Sequence, residues 1–372
     1  MPITELRVEG YRSIRDLTLG LKRVNVIVGP NGCGKSNLYN SMALIKAAAQ
    51  GNLSRTIADE GGMESVLWAG GRKNGPVRMM IGMDLGEYRY RIELGLPQTT
   101  FYAENSPSLF ALDPHVKEEH LQVNGRAVLE RGASNYKMID GNGERQQGLM
   151  ALHHSEAVMA QIQDARQYPI LDDLRRQILK WRFYHTFRTD AGSPLRRPQT
   201  GVRTYALADD GLDLAAAIQT IRENGDDAGL DSAIADAFPG ARLVIVSDIP
   251  GTFLVAMEFP GVGRPLMAHE LSDGTLRYLC LLAALLSPSP PPLLALNEPE
   301  TSLHDDLLPP LARLIAKASE HSQIWLTTHS EILVDGLEDL LSVKPIRLEK
   351  RDGATVREGR PKGLAYSVEW DS

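Results

Sequence analysis

The sequence predicts an α/β fold with a parallel core, an antiparallel β subdomain and a short helical insert. Three observations predict it. An apolar run, "VNVIV" (24–28), enters the glycine-rich stretch "GPNGCGKS" (29–36), and helical spacing of apolar residues follows to about residue 49. From residue 269 the chain alternates loop, helix, proline-rich turn, strand, helix and strand, the order of a parallel α/β unit. Residues 77–95 and 242–259 each read as two strands around a glycine-containing turn, which signals antiparallel pairing.

In chain order, residues 3–10 alternate as a strand, and more short strands are expected from the 77–95 hairpin to about residue 140. Residues 150–182 have helical spacing broken near Pro169. The stretch 182–205 is rich in proline, glycine and arginine, with five arginines against one aspartate. Residues 205–239 reverse the balance, with eight acids against Arg222 alone, in two short helical segments. "SPSPPP" (287–292) reads as a rigid connection between a helix and a buried strand, and the tail after residue 346 as one or two closing strands. The expected layout is one composite domain: an N-terminal lobe (1–149), a helical and arginine-rich insert (150–240) and a C-terminal lobe (241–372).

Composition narrows the classes. With 372 residues, 43% hydrophobic, and a formal net charge of −7, nothing global advertises a nucleic-acid or membrane surface. Cys33 and Cys280 stand far apart, which suits a reducing compartment and a cytoplasmic location. No basic-then-apolar leader opens the chain. No apolar run nears the about 20 residues of a membrane span. The histidines at 153–154 and 304 share no ligand spacing with the cysteines, so zinc is not expected.

The glycine-rich stretch fits G-x-x-x-x-G-K-[ST], between a strand and a helix as the motif requires. Gly29, Pro30, Asn31, Gly32, Cys33, Gly34, Lys35, Ser36 and Asn37 form the expected nucleotide contact. Glycines let successive N–H groups turn toward phosphate oxygens, and the helix start adds partial positive charge. Lys35 would reach the outer phosphates and the Ser36 hydroxyl would ligate Mg²⁺. Cys33 is open to two readings: a small residue that fits, or a thiol made reactive by Lys35 and the helix start.

Three later segments narrow the class. "ELSDGT" (270–275) precedes a Leu/Ala-rich helix, "LALNEPETSLH" (294–304) carries an apolar strand into an acidic turn, and "QIWLTTHS" (323–330) ends a strand in a histidine. With "LRVEGYRSIRDLTLG" at the N-terminus, their order resembles the ATP-binding-cassette (ABC) class. The match is closest to the SMC/RecF-like head-domain branch and to AAA-type ATPases related to the OLD family, over about residues 1–45 and 265–335. The resemblance implies a P-loop ABC-type ATPase head that takes ATP and Mg²⁺ and closes as an ATP-dependent homodimer. It implies that Ser272, Asp273, Gly274 and Thr275 are the signature that completes a partner's ATP site. Glu298 would be the general base, His329 the switch histidine, and Thr301 to His304 the loop at the dimer interface. Arg12 falls where this branch places a basic residue near the nucleotide.

Two departures stand out. Asp273 replaces the glycine of transporter signatures, and no glutamine loop is evident, which argues against a transporter motor. Asn297 stands where a metal-supporting acid is usual; its amide oxygen could still accept from a water on Mg²⁺. A slow hydrolase and an ATP-sensing scaffold that barely turns over both remain open. Residues 330–372 leave no room for the nuclease domain of the OLD relatives, so a separate effector protein, such as a nuclease, is a candidate partner. The span between the lobes has no heptads, so no long coiled-coil arm is expected. Arg188, Arg196, Arg197 and Arg203, with aromatics nearby, are a candidate DNA contact; the alternatives are neutralisation of the 205–239 acids or a place at the ATPase interface. DNA repair and phage defence are the roles such a family suggests.

Overall fold

A computed structural model describes residues 1–70, 77–97, 110, 112–132, 135–148 and 152–359. Parts of the expected strand region before residue 140, of the 150–182 helical region and of the C-terminal tail lie outside the described residues.

The architecture is mixed α/β, and its centre is a six-stranded sheet. Its order is Arg182–Tyr184, Leu293–Asn297, Gln323–Thr327, Val24–Val28, Ile346–Arg351, Ala354–Arg357, parallel except for the last pair. Strands Val24–Val28, Leu293–Asn297 and Gln323–Thr327 are buried at every position, as parallel strands covered on both faces must be. Alternate residues serve two cores. Ile27, Leu293, Ala295 and Trp325 face a core shared with helix Lys35–Gln50 and the antiparallel sheet. Val26, Leu294, Leu296, Ile324 and Leu326 face a second core under helices Leu214–Asn224, Asp273–Leu285 and Leu308–Ala318.

The antiparallel subdomain is an eight-stranded sheet that runs from Ile14–Gly20 and Ile3–Tyr11 through Arg78–Leu85 and Tyr88–Gly95 to Arg145–Gly148. A smaller sheet joins Gln199–Thr200, Thr252–Glu258 and Arg242–Val246, with Leu266–Met267 on Thr252–Glu258. The hairpin expected at 77–95 is Arg78–Leu85 and Tyr88–Gly95, turned at Gly86 with φ +59°.

The break expected near Pro169 lies between Val158–Gln161 and helix Pro169–Leu179, which Pro169 starts at its first turn, where the missing N–H costs nothing. One local reading changes. Within the expected insert, Arg182–Tyr184 pairs with Leu294–Leu296 as an edge strand of the parallel sheet. Residues 150–240 are thus partly built into the central sheet, because Phe183 and Tyr184 bury on its two faces. Among the described residues, no helix is long and apolar enough to cross a membrane.

Candidate nucleotide site

The expected site residues come from the carboxyl ends of adjacent parallel strands, where α/β sheets place ligands. Val24–Val28 runs into the loop at Gly29, and Gly34 caps helix Lys35–Gln50 with φ +106°. A Cβ on Gly34 would fall 2.1 Å from Thr355 Oγ1, and one on Gly29 would fall 2.4 Å from the Leu348 carbonyl oxygen. Glycine at these two positions lets the loop lie against the closing hairpin Ile346–Arg351/Ala354–Arg357.

That hairpin was legible only as closing strands, yet it braces the loop. The Thr355 hydroxyl donates to the Cys33 carbonyl at 2.8 Å and lies 2.7 Å from Ser13 Oγ. Asn37 Nδ2 donates to the same Ser13 oxygen at 2.7 Å. Asn37 is therefore engaged as a brace, and Asn31, Gly32 and Ser36 remain exposed at the loop surface. Cys33 is 1% exposed and packs in the core, so the geometry favours the small-residue reading over a reactive thiol. Arg12 adopts φ +47°, places Nη2 2.8 Å from Glu60 and lies over the Tyr11 ring. Its neighbour Ser13, not Arg12 itself, makes the direct tie to the loop.

Lys35 is 4% exposed and turns back on its own loop, donating to the carbonyls of Gly29 at 2.8 Å and Pro30 at 3.4 Å. Burial pulls its ammonium below the usual lysine range, while Cys33, Glu298 and Glu300 act against that. Its Nζ also lies 2.7 Å from Nε2 of His329, which lies 3.3 Å from Oε1 of Glu298. One imidazole nitrogen cannot accept from an ammonium and donate to a carboxylate at once. The trio therefore has two exclusive arrangements, which differ in whether Nε2 of His329 carries a proton toward Glu298 or accepts from Lys35.

Glu298 sits at φ +46°, a conformation that non-glycine residues seldom adopt, immediately past the strand. Its N–H donates to the Thr327 carbonyl, and its own carbonyl accepts from Arg277 Nη2 and Thr301 N–H. Asn297 is 6% exposed, and its Oδ1 accepts from the Thr327 hydroxyl at 2.7 Å across the strand pair. Sequence reasoning missed Glu300. Its Oε1 accepts from the Thr328 hydroxyl and the His329 N–H, each at 2.7 Å, and so fixes the backbone that carries His329. The "EPE" spacing was the available signal.

Ser272 caps helix Asp273–Leu285. Its Oγ accepts from the Thr275 N–H at 3.1 Å and lies 2.8 Å from Thr275 Oγ1. Gly274 is pressed on the exposed turn 301–304, where a Cβ would meet the Ser302 carbonyl oxygen at 2.6 Å.

The arginine group separates. Arg188 pairs with Asp190, and Arg203 with Glu223 of the acidic segment. Arg197 is exposed. Arg196 points inward to the signature loop, its side chain 10% exposed. Burial and its bonds to the signature loop remove Arg196 from the candidate DNA contact.

Comparisons with known proteins agree with this geometry. Residues 1–67 match the model of the "AAA ATPase domain" family, and residues 154–335 match that of "AAA domain, putative AbiEii toxin, Type IV TA system". No curated protein matches the chain. Among solved structures, the chain is similar to an SMC head bound to the C-winged helix domain of ScpA. That likeness has 16% identity, spans 96% of this chain and 97% of that one, and has a TM-score of 0.55. The SMC head domain with a coiled coil and joint from Pyrococcus yayanosii is also similar, at 11% identity, 96% of each chain and a TM-score of 0.52. At such identities the likeness is one of fold. The two family models cover the phosphate loop and the distal motifs separately, and the chain as a whole is similar in fold to the SMC heads: it resembles AAA-type ATPase domains in its two matched parts and an SMC head in its architecture.

Proposed function

We propose that this protein binds ATP with Mg²⁺ at the 29–36 loop, pairs head to tail with a second copy, and hydrolyses ATP slowly. The observation that carries this reading is the convergence of Lys35, His329 and Glu298 on one point at the ends of adjacent parallel strands. The donor set fits the ligand. The loop offers backbone N–H groups at a helix start, and Lys35 now uses carbonyls of the same loop as substitutes for phosphate oxygens. Ser36 would hold Mg²⁺, with Asn297 reached through water, and the metal would neutralise charge on the outer phosphates. Glu298 would take the proton of an attacking water, and His329, freed when Lys35 turns outward, would orient beside it.

Ser272, Asp273, Gly274 and Thr275 would face the ATP of the partner copy. Their exposed helix start is far along the sequence from the phosphate loop, and it adjoins the exposed 301–304 turn. A second reading, an ATP sensor that barely turns over, is favoured by Asn297: an uncharged amide whose oxygen already accepts from Thr327.

The physical output would be contact with DNA or with a separate effector protein. A partner protein accords with the solved SMC head that binds a winged-helix domain, and phage defence with the toxin–antitoxin wording of the matched family. Of the exposed arginines Arg188, Arg197 and Arg203, two are already paired with Asp190 and Glu223, so a protein effector is the better-supported target.

Light scattering tests the dimer. The Glu298→Gln variant with Mg-ATP should double in mass, and removal of Mg²⁺ by chelation should return it to the monomer. A variant that stays monomeric at high concentration would remove the head-to-tail reading.

A further inference from the structure

The least expected contact in the molecule joins the arginine-rich loop to the signature, across 77 residues of sequence. Arg196 is surrounded by six acceptors. Its Nε donates to the carbonyls of Thr189 at 2.9 Å and Asp190 at 3.2 Å. Nη1 donates to the carbonyls of Ala268 at 3.0 Å, His269 at 3.3 Å and Leu271 at 2.7 Å. Nη2 pairs with Asp273 Oδ1 at 2.5 Å. The guanidinium is nearly buried, whereas the Asp273 carboxylate is 56% exposed.

This arrangement answers a problem that Asp273 creates. A helix start with a free hydroxyl cap attracts anions, but a carboxylate in its first turn repels them. Asp273 occupies the first turn of the signature helix and faces solvent. Uncompensated, it would set a negative charge against an incoming triphosphate. Arginine suits the task because its charge is permanent and its planar fork serves several acceptors at once. Lysine could neutralise Asp273 but could not also hold three carbonyls of the 268–271 loop.

Resting on the head-to-tail reading, we infer that Arg196 is a positioning residue for the signature. It cancels the Asp273 charge and closes the 268–271 loop, so that Ser272 and the N–H groups of the helix start can accept the partner's nucleotide. Arg196 does not itself reach the phosphates, because the five carbonyls hold it in place. The loop that carries it, 188–197, thereby becomes the place from which a bound effector could loosen or tighten the dimer. The polar connection between the two loops runs through this one side chain, above the core that Leu195, Ala268 and Leu271 share.

The test uses the full chain in the Glu298→Gln background and compares Arg196→Ala, Arg196→Lys and the double variant Arg196→Ala/Asp273→Asn. Two quantities are measured: the ATP concentration that half-saturates the monomer, and the protein concentration at which Mg-ATP gives half dimer. Arg196→Ala should weaken dimerisation by about tenfold or more, the scale expected for an uncompensated charge at an interface, with monomer ATP affinity unchanged. Arg196→Lys should fall between the two. The double variant should recover part of the loss, since it removes the repelling carboxylate but cannot rebuild the loop. A merely structural arginine predicts no such recovery, because Asp273→Asn restores none of the five carbonyl bonds. Unchanged dimerisation of Arg196→Ala, or a double variant no better than Arg196→Ala, overturns the inference. If the Glu298→Gln parent itself fails to dimerise, the head-to-tail reading falls, and this inference falls with it.

Discussion

Asn297 carries the most information at the scale of single residues. It is buried, neutral and bonded to Thr327, immediately before Glu298. Changing Asn297→Asp keeps the shape and the acceptor for Thr327 but buries a charge without a cationic partner in the metal-free protein. That should cost about 3 kcal/mol of stability, the upper end of the desolvation penalty because the buried group is charged. Mg-ATP should return more than this cost, because the carboxylate then faces a cation. The expected result is a lower melting temperature without Mg-ATP, a larger upward shift on adding it, and faster turnover. A variant that melts as wild type and turns over more slowly would mean that the amide is tuned to the site rather than tolerated in it. Glu298 and His329 could be proposed from sequence because their residue types and order are characteristic, and the structure brings them within 3.3 Å of each other. Glu300 was not, since its role is to hold the His329 backbone, and sequence carries no record of which carbonyl or N–H a carboxylate will meet.

At the scale of elements, the phosphate loop is clamped between the first strand pair and the last. Thr355, 1% exposed, bonds Cys33 and contacts Ser13, which in turn holds Asn37. Thr355→Val preserves the volume but removes the hydroxyl and leaves the Cys33 carbonyl unpaired. The expected loss is about 1–3 kcal/mol in urea denaturation, together with weaker ATP binding, because the loop would lose the hydroxyl that ties Cys33 to Ser13. A loss of stability with unchanged ATP affinity would reduce the hairpin to a structural role. The strand, loop and helix of the phosphate site could be read locally, since each depends on near neighbours in sequence. The clamp could not, because its partners lie 322 and 342 residues apart. The same limit hid Arg182–Tyr184: three residues give no periodicity, and the arginine-rich composition around them suggested a surface loop rather than a sheet edge.

For the whole molecule, the sequence specifies a site distributed over both ends of the chain, which folding brings together on one sheet. The alternation of apolar residues in Leu293–Asn297 and Gln323–Thr327 directs side chains to two cores and leaves the strand ends to carry the polar groups. The pattern made the α/β class readable. It did not reveal that the arginine-rich loop and the signature would meet, since charge pattern alone cannot tell an outward arginine from one that holds a neighbouring loop. In both findings an outer segment of the chain braces one half of the candidate site. The measurement that tests this most directly is steady-state phosphate release from Mg-ATP by wild type and Glu298→Gln. Wild type should turn over slowly, and Glu298→Gln should fall by about a hundredfold or more, the usual contribution of a general base. Equal release by the two proteins would contradict the hydrolase and leave the ATP sensor in its place.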